Sequence, residues 1–169
     1  MTITNTVFNQ PIDESAVDNG VMRYDRKLLS KLLTKALADT YSLHDKTRIV
    51  NWNITGPLFY SVHTLTKAQY QELFIAIDAL AERVRAIGFL GPRNVTQLHN
   101  QSRLSDIGGD MKALEMIWSL VNANEICCRS LRAAAQEAIR LNDVVTADFL
   151  SRRVEVHEKN AWMLRSLIE

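Results

Sequence analysis

An unbroken apolar stripe at helical spacing runs through residues 70–87 and stops at Gly88. Its members recur at steps of three and four residues: Tyr70, Leu73, Phe74, Ile77, Leu80, Ala81, Val84 and Ile87. A stripe of this period is one face of an α-helix of about five turns, since each turn takes about 3.6 residues. Such a face is stable only when other elements cover it, so the stripe predicts a helical bundle.

Three further segments carry the same helical period: residues 22 to about 50, 111 to about 141 and 145 to 167. The breaks between the helical segments are Thr55-Gly56-Pro57, Gly91-Pro92, Gly108-Gly109 and Asn142-Asp143. Only six Gly and three Pro occur in 169 residues, too few for the many tight turns of a β-sandwich or barrel. The predicted fold is all-α: a ferritin-like four-helix bundle with a short extra helix, near residues 95–100, in its long central connection.

The first 21 residues differ in charge from the rest, because they contain no Lys or Arg but three acids, Asp13, Glu14 and Asp18. We interpret residues 1–21 as a flexible or loosely docked arm and residues 22–169 as the bundle domain. An acidic arm repels phosphate, so direct DNA binding through it is not expected. The basic helical face after the arm is interpreted as a solvated surface; it consists of Arg23, Arg26, Lys27, Lys31 and Lys35.

The composition excludes several classes of protein. Twenty Lys+Arg against 19 Asp+Glu leave a net charge of +1, which does not attract nucleic acid to the chain as a whole. No apolar run approaches the roughly 18 residues of a membrane span, and the first residues lack the pattern of a secretory signal. We therefore expect a cytoplasmic protein. Cys127 and Cys128 are adjacent, so they cannot form a disulfide framework; packing is expected, with redox sensing as the alternative.

Four polar side chains of the second helical segment fall on one stripe: His63, Lys67, Asp78 and Glu82. At about 100° per residue they lie at roughly 0°, 40°, 60° and 100° around the helix axis. Lys67 and Asp78 are about 16 Å apart along that axis, so one chain cannot bring both ends to a single metal ion. Two copies related by a two-fold axis can do so if these helices cross antiparallel near residues 72–73. The stripe thus predicts an intersubunit metal site, with a solvated helix face and a packed histidine as the alternative.

Two motifs carry a resemblance to a known family. The first is Asn51-Trp52-Asn53-Ile54-Thr55-Gly56-Pro57, followed by Phe59, His63, Asp78, Ala81-Glu82-Arg83 and Gly88. The second is Thr146-Ala147-Asp148-Phe149-Leu150-Ser151-Arg152-Arg153, with His157-Glu158-Lys159 and Trp162-Met163-Leu164-Arg165-Ser166. Together they resemble the Dps family, the ferritin-like mini-ferritins known as DNA-binding proteins from starved cells. The resemblance covers about residues 22–168.

This resemblance implies a hollow dodecamer with a ferroxidase centre at each two-fold interface. Such a centre binds Fe(II), which is oxidised, usually by hydrogen peroxide, and is stored as a ferric mineral; hydroxyl-radical chemistry is thereby suppressed and DNA is protected. Carried over by position, the metal ligands of this chain are His63, Asp78 and Glu82, and Trp52 is the aromatic residue beside the centre. Iron is the implied metal, and ferroxidase is the implied enzyme class.

Two positions of this centre depart from the family pattern. Asn51 stands where the family has its first His, and Lys67 stands where it has an Asp. An amide is a poor iron ligand and an ammonium has no lone pair, so we expect weakened iron affinity. Our hypothesis is that Lys67 takes the metal's place and pairs with Asp78 or Glu82 across the interface. His44, on the same helix face as Asn51, is a candidate substitute ligand, with a packed histidine as the alternative.

A third departure lies in Leu120-Val121-Asn122-Ala123-Asn124-Glu125, where many members read Leu-Val-x-Asp-His-Glu and use the Asp to line a three-fold pore. The absence of this Asp predicts weaker attraction of cations to that pore.

Three functions stay open: an iron-oxidising storage cage, a catalytically silent cage subunit that co-assembles with a competent paralogue, and a DNA-compacting protein associated with the nucleoid.

Overall fold

The computed structural model describes residues 17–169, and its helices follow the predicted segments closely. The helices of this part are α1 Arg23–Asn53, α2 Phe59–Ala86, α3 Val95–Gln101, α4 Ala113–Arg140 and α5 Val144–Arg165. Residues 17–169 contain no strand. The all-α prediction is therefore confirmed, and the short helix expected in the central connection is α3. Asp13 and Glu14 of the acidic arm lie outside the described residues, and the division of the chain after residue 21 stays a prediction.

The helix ends follow from local backbone chemistry. Asn142 adopts a φ of 56° after α4, and Asp143 then accepts a hydrogen bond from the backbone N–H of Thr146 at 3.1 Å, which caps α5. Gly88 follows α2 with a φ of +96°, and a Cβ at this position would lie 2.8 Å from a guanidinium nitrogen of Arg26. Only glycine combines this conformation with so close a contact.

The apolar faces of the four long helices meet in one core. Its largest fully buried side chains are Leu29, Leu33, Leu37, Leu43, Ile54, Leu73, Leu80, Ile87, Ile117, Leu120, Leu131 and Leu150. The stripe of α2 is only partly core, however. Leu73 is 1% exposed, whereas its neighbour Phe74 is 59% exposed. The apolar stripe is thus wider than the surface that α1 and the core cover, and its outer edge faces away from the bundle.

Two arginine bridges tie α2 to α5 and its cap. Near the end of α2, Arg83 donates to both oxygens of Asp143 at 2.9 Å and to the Thr146 hydroxyl at 2.6 Å. In the middle of the bundle, Arg153 forms a bidentate pair with Glu72. Because these contacts join residues far apart in sequence, they hold the exposed face of α2 in a fixed orientation.

The long connection between α2 and α4 is anchored by a buried carboxylate. Asp39 of α1 is 0% exposed and accepts hydrogen bonds from the backbone N–H of Arg103 at 2.8 Å and from the hydroxyl of Ser102 at 3.2 Å. Ser130 of α4 also donates to it. These bonds hold the end of α3 against α1.

Within residues 17–169, every helix is too short or too polar to span a lipid bilayer.

Candidate functional site

His63 lies near the start of α2 with one ring nitrogen held by α1. Its Nδ1 lies 3.0 Å from the backbone oxygen of Asn51. A carbonyl oxygen only accepts hydrogen bonds, so Nδ1 donates to it and Nε2 is the ring nitrogen left for another partner. The ring also stacks on Phe59, with centroids 5.3 Å apart and planes at 27°. The ring of His63 is therefore held in a fixed orientation by Asn51 and Phe59, as hydrogen bonds from neighbouring residues orient the histidine ligands of metal sites.

Asn51 is committed to structure. It is 3% exposed, and its amide nitrogen donates to the backbone oxygen of His63 at 2.7 Å and to the hydroxyl of Thr66 at 2.8 Å. Both amide hydrogens are therefore used in joining α1 to α2. The sequence placed Asn51 at a ligand position; the structure shows that it positions the backbone and, through its own carbonyl, the ring of His63.

The other three members of the predicted stripe are exposed on the outer face of α2. Lys67, Asp78 and Glu82 all point away from the core. His63 and Asp78 are about 22 Å apart along the helix axis, so one chain cannot join them. No group of three His, Cys, Asp or Glu side chains in residues 17–169 is arranged to hold a metal ion. A site built from these residues requires a second copy of the chain, and the ligand assignment stays a prediction.

His44 lies two turns of α1 before Asn51 and is 8% exposed. Its Nδ1 lies 3.0 Å from a carboxylate oxygen of Asp45, and its ring packs against Tyr70 and Phe74 with centroids 6.3 and 6.2 Å away. The seven residues from His44 to Asn51 span about 10 Å along α1. The structure therefore places His44 away from His63 within one chain, and its role as a substitute ligand stays a prediction.

Apolar side chains surround these polar groups on the outer face of α1 and α2. Ile75 is 69% exposed, Trp52 63% and Phe59 46%, beside the exposed Phe74. A groove of about 530 Å³ lies on this surface; its lining is His44, Arg48, Trp52, Tyr70, Gln71, Phe74 and Ile75. Exposed apolar clusters of this kind mark surfaces that bind another protein. We call this surface the α1–α2 face. Helical periodicity alone did not indicate that it is exposed.

The Arg48 guanidinium lies over the Trp52 ring, with its carbon 4.9 Å from the ring centroid. Trp52 is thus held on the α1–α2 face one residue after Asn51. Its place beside a metal centre stays a prediction. The sequence places Arg48 on the helix face of His44 and Asn51 but did not predict its contact with Trp52, although a spacing of four residues brings two helical side chains together.

The segment predicted to lie at a pore is divided between core and surface. Ala123 and Asn124 are each 2% exposed, whereas Asn122 is exposed and Glu125 reaches the surface and pairs there with Arg165; a role in a pore stays a prediction. Burial raises the pKa of the Cys127 thiol well above its usual value and that of Cys128 to about 11. Both cysteines are free and buried, which confirms the packing interpretation.

Comparison with known proteins agrees with this architecture. A family model for the ferritin-like domain matches residues 30–169. A low temperature-induced protein of Nostoc sp. is 37% identical over 155 residues, covering 90% of this chain and 87% of the relative. The DNA protection during starvation protein of Brevibacillus brevis is 31% identical over 144 residues, covering 85% and 97%. The crystal structure of a Dps protein from Bacillus brevis superimposes with a TM-score of 0.82 at 30% identity, over 86% of this chain and 98% of that one.

Proposed function

Because the chain belongs to the Dps family of ferritin-like proteins, we propose that it is a subunit of an iron-storage cage that protects DNA. The cage takes Fe(II) as substrate and keeps ferric iron. Its oxidation centre lies at a two-fold interface and is weaker than that of other family members. Two departures from the family pattern support a weakened centre. The amide of Asn51 is hydrogen-bonded to α2 and is not available as a ligand, and Lys67 adds a positive charge.

The α1–α2 face supports a two-fold interface. An antiparallel crossing near residues 72–73 buries Phe74 and Ile75 of both copies, which are 59% and 69% exposed in the single chain. The same crossing places Lys67 opposite the partner's Asp78 and His63 opposite the partner's Glu82. Opposite charges then meet across an apolar seam, which favours this register over a parallel one. The complete assembly proposed is the dodecamer.

The proposed centre has one imidazole and two carboxylates per site. Nε2 of His63, held ready by Asn51, supplies nitrogen, while Asp78 and Glu82 of the partner supply anionic oxygen, the donor that iron prefers. Lys67 lowers the affinity in two ways, because it repels Fe(II) and competes with it for the same carboxylates. Each Fe(II) that does bind gives up one electron, and one hydrogen peroxide accepts two. The expected result is slow oxidation with retained iron.

A catalytically silent subunit is the second candidate. It is favoured by the same Lys67, whose ammonium satisfies the partner's Asp78 or Glu82 without any metal. In that case the interface contains a salt bridge, and iron oxidation depends on a paralogue in a mixed cage.

DNA compaction is the third candidate function. The residues that would contact phosphate are exposed on one face of α1: Lys27, Lys31 and Lys35.

The deciding experiment measures Fe(II) oxidation by the assembled protein, with and without peroxide, and then counts iron per particle. Slow oxidation above the protein-free rate, with iron retained, supports the storage cage. Lys67→Asp should raise the oxidation rate at least tenfold, because it replaces a cation with a ligand. Lys35→Asp makes the same charge change on a distant surface and should leave the rate unchanged. Protein-free rates in both the wild type and Lys67→Asp would refute the proposed centre and leave the silent subunit.

A further inference from the structure

Lys46 is a cation buried without a partner of opposite charge. It lies in α1 on the side facing the central connection and is 7% exposed. Its Nζ donates one hydrogen bond, to the backbone oxygen of Ser105 at 2.9 Å. Within residues 17–169, no carboxylate oxygen lies within 4.0 Å of this nitrogen. An ammonium has three donors, so two remain for another acceptor.

The electrostatics of Lys46 agree with a missing counter-ion. Burial lowers the pKa of its ammonium, and the negative charge of Asp106 opposes that shift only in part. Buried charges in proteins are normally paired, because an unpaired one loses its hydration without compensation. Since Asp106 is exposed and makes no direct ion pair with Lys46, an acceptor from outside the chain would relieve this cost.

A groove of about 370 Å³ opens beside Lys46, between the central connection and α4. The hydroxyl of Ser119, which lines the same groove, is buried and has no hydrogen-bond partner. Arg103 also lines it, although its guanidinium is bonded to Asp39. The carboxylate of Glu115 lines it as well and accepts from the backbone N–H of Lys112 at 2.7 Å. The lining of this groove therefore includes both the ammonium of Lys46, which has no counter-ion, and the hydroxyl of Ser119, which has no hydrogen-bond partner.

We propose that this groove binds a small oxyanion of the phosphate class. The anion takes charge-assisted hydrogen bonds from Nζ of Lys46 and a hydrogen bond from the hydroxyl of Ser119. The site is separate from the α1–α2 face: it lies across the groove between residues 103–126 and α1, and none of its residues belongs to the stripe of His63, Lys67, Asp78 and Glu82. It does not depend on the proposed iron chemistry.

The test is calorimetric titration of the assembled, iron-free protein with inorganic phosphate at constant ionic strength. Saturable binding of one phosphate per chain is expected. Lys46→Gln should weaken it at least tenfold and Ser119→Ala severalfold, since each removes one donor. Lys35→Gln removes an exposed lysine elsewhere on α1 and should leave the affinity unchanged. Asp106→Asn removes the competing negative charge and should tighten binding.

Absence of saturable binding by the wild type would overturn the proposal, as would equal weakening by Lys46→Gln and Lys35→Gln. If Lys46→Gln fails to assemble, Ser119→Ala and Asp106→Asn decide the matter, because opposite shifts in affinity support the site and unchanged affinity in both refutes it. Iron oxidation is not the readout, so a failure here is distinct from a failure of the proposed oxidation centre.

Discussion

Acid should destabilise this protein through His157, which is 0% exposed in the middle of the bundle. Its Nδ1 donates to the side-chain oxygen of Asn124 at 3.0 Å, and its Nε2 lies 3.5 Å from the guanidinium of Arg153. Arg153 is in turn paired with Glu72 of α2. Protonation of Nε2 would therefore place a second cation against a guanidinium at a position that bulk solvent does not reach.

Burial, and secondarily the charge of Arg153, lower the pKa of His157 from 6.5 to about 3. Between these two pH values His157 is therefore protonated in the unfolded chain and neutral in the folded chain. For a pKa lowered by folding, the contribution to stability is complete above pH 6.5 and declines as the pH falls toward 3. Between pH 7 and pH 5 this single group should cost about 2 kcal/mol of unfolding free energy, because the unfolded histidine becomes almost fully protonated.

The assay is urea unfolding at fixed protein concentration and ionic strength, repeated from pH 7.5 to 5. His157→Gln keeps a hydrogen-bonding side chain but cannot titrate, so its stability should fall with acid by about 2 kcal/mol less than that of the wild type. His99→Gln removes a histidine whose side chain is 44% exposed and should follow the wild-type pH curve. Parallel pH curves for the wild type and His157→Gln would refute the reasoning, whatever their absolute stabilities.

Two further substitutions test the surface and the turn. Phe74→Glu puts a charge into the proposed two-fold seam and should shift the particle to smaller species in sedimentation velocity; Val95→Glu, a similar change at an exposed site on α3, should not. An intact particle with Phe74→Glu would contradict the interface. Gly88→Ala should cost about 2 kcal/mol in urea unfolding, because φ is +96° and the new Cβ meets Arg26. Gly109→Ala, where a Cβ meets open space, should change stability by less than about 0.5 kcal/mol, and equal losses would count against backbone strain.

The helices were predictable because their signal is local. The apolar period over residues 70–87 located α2 and its end, the break at Thr55-Gly56-Pro57 preceded its start at Phe59, and the dipeptide Asn142-Asp143 located the turn before α5. The same arithmetic showed that His63 and Asp78 cannot meet within one chain, because helix rise depends only on the number of residues between them. The motif around Trp52 and the motif of the last helix together indicated the family.

The partners of individual side chains were not predictable, because they come from other helices. Leu73 and Phe74 look equivalent in the stripe, yet one is in the core and the other on the α1–α2 face. From the sequence, Asn51 was only a residue that replaces a metal ligand. In the structure its amide nitrogen donates hydrogen bonds to the hydroxyl of Thr66 and to the backbone oxygen of His63. The proximity of His44 to Asn51 on one helix face did not bring it to the imidazole of His63.

The sequence by itself determined the helical segments, their apolar faces, the family and the need for a second chain at the candidate centre. Only the tertiary structure decided which edge of each stripe is covered, which polar group is buried with a hydrogen-bond partner, as at His157, and which charge is buried without a counter-ion, as at Lys46. The physical reason is that periodicity describes one helix in isolation, whereas burial and pairing depend on which neighbouring helix lies across from each position.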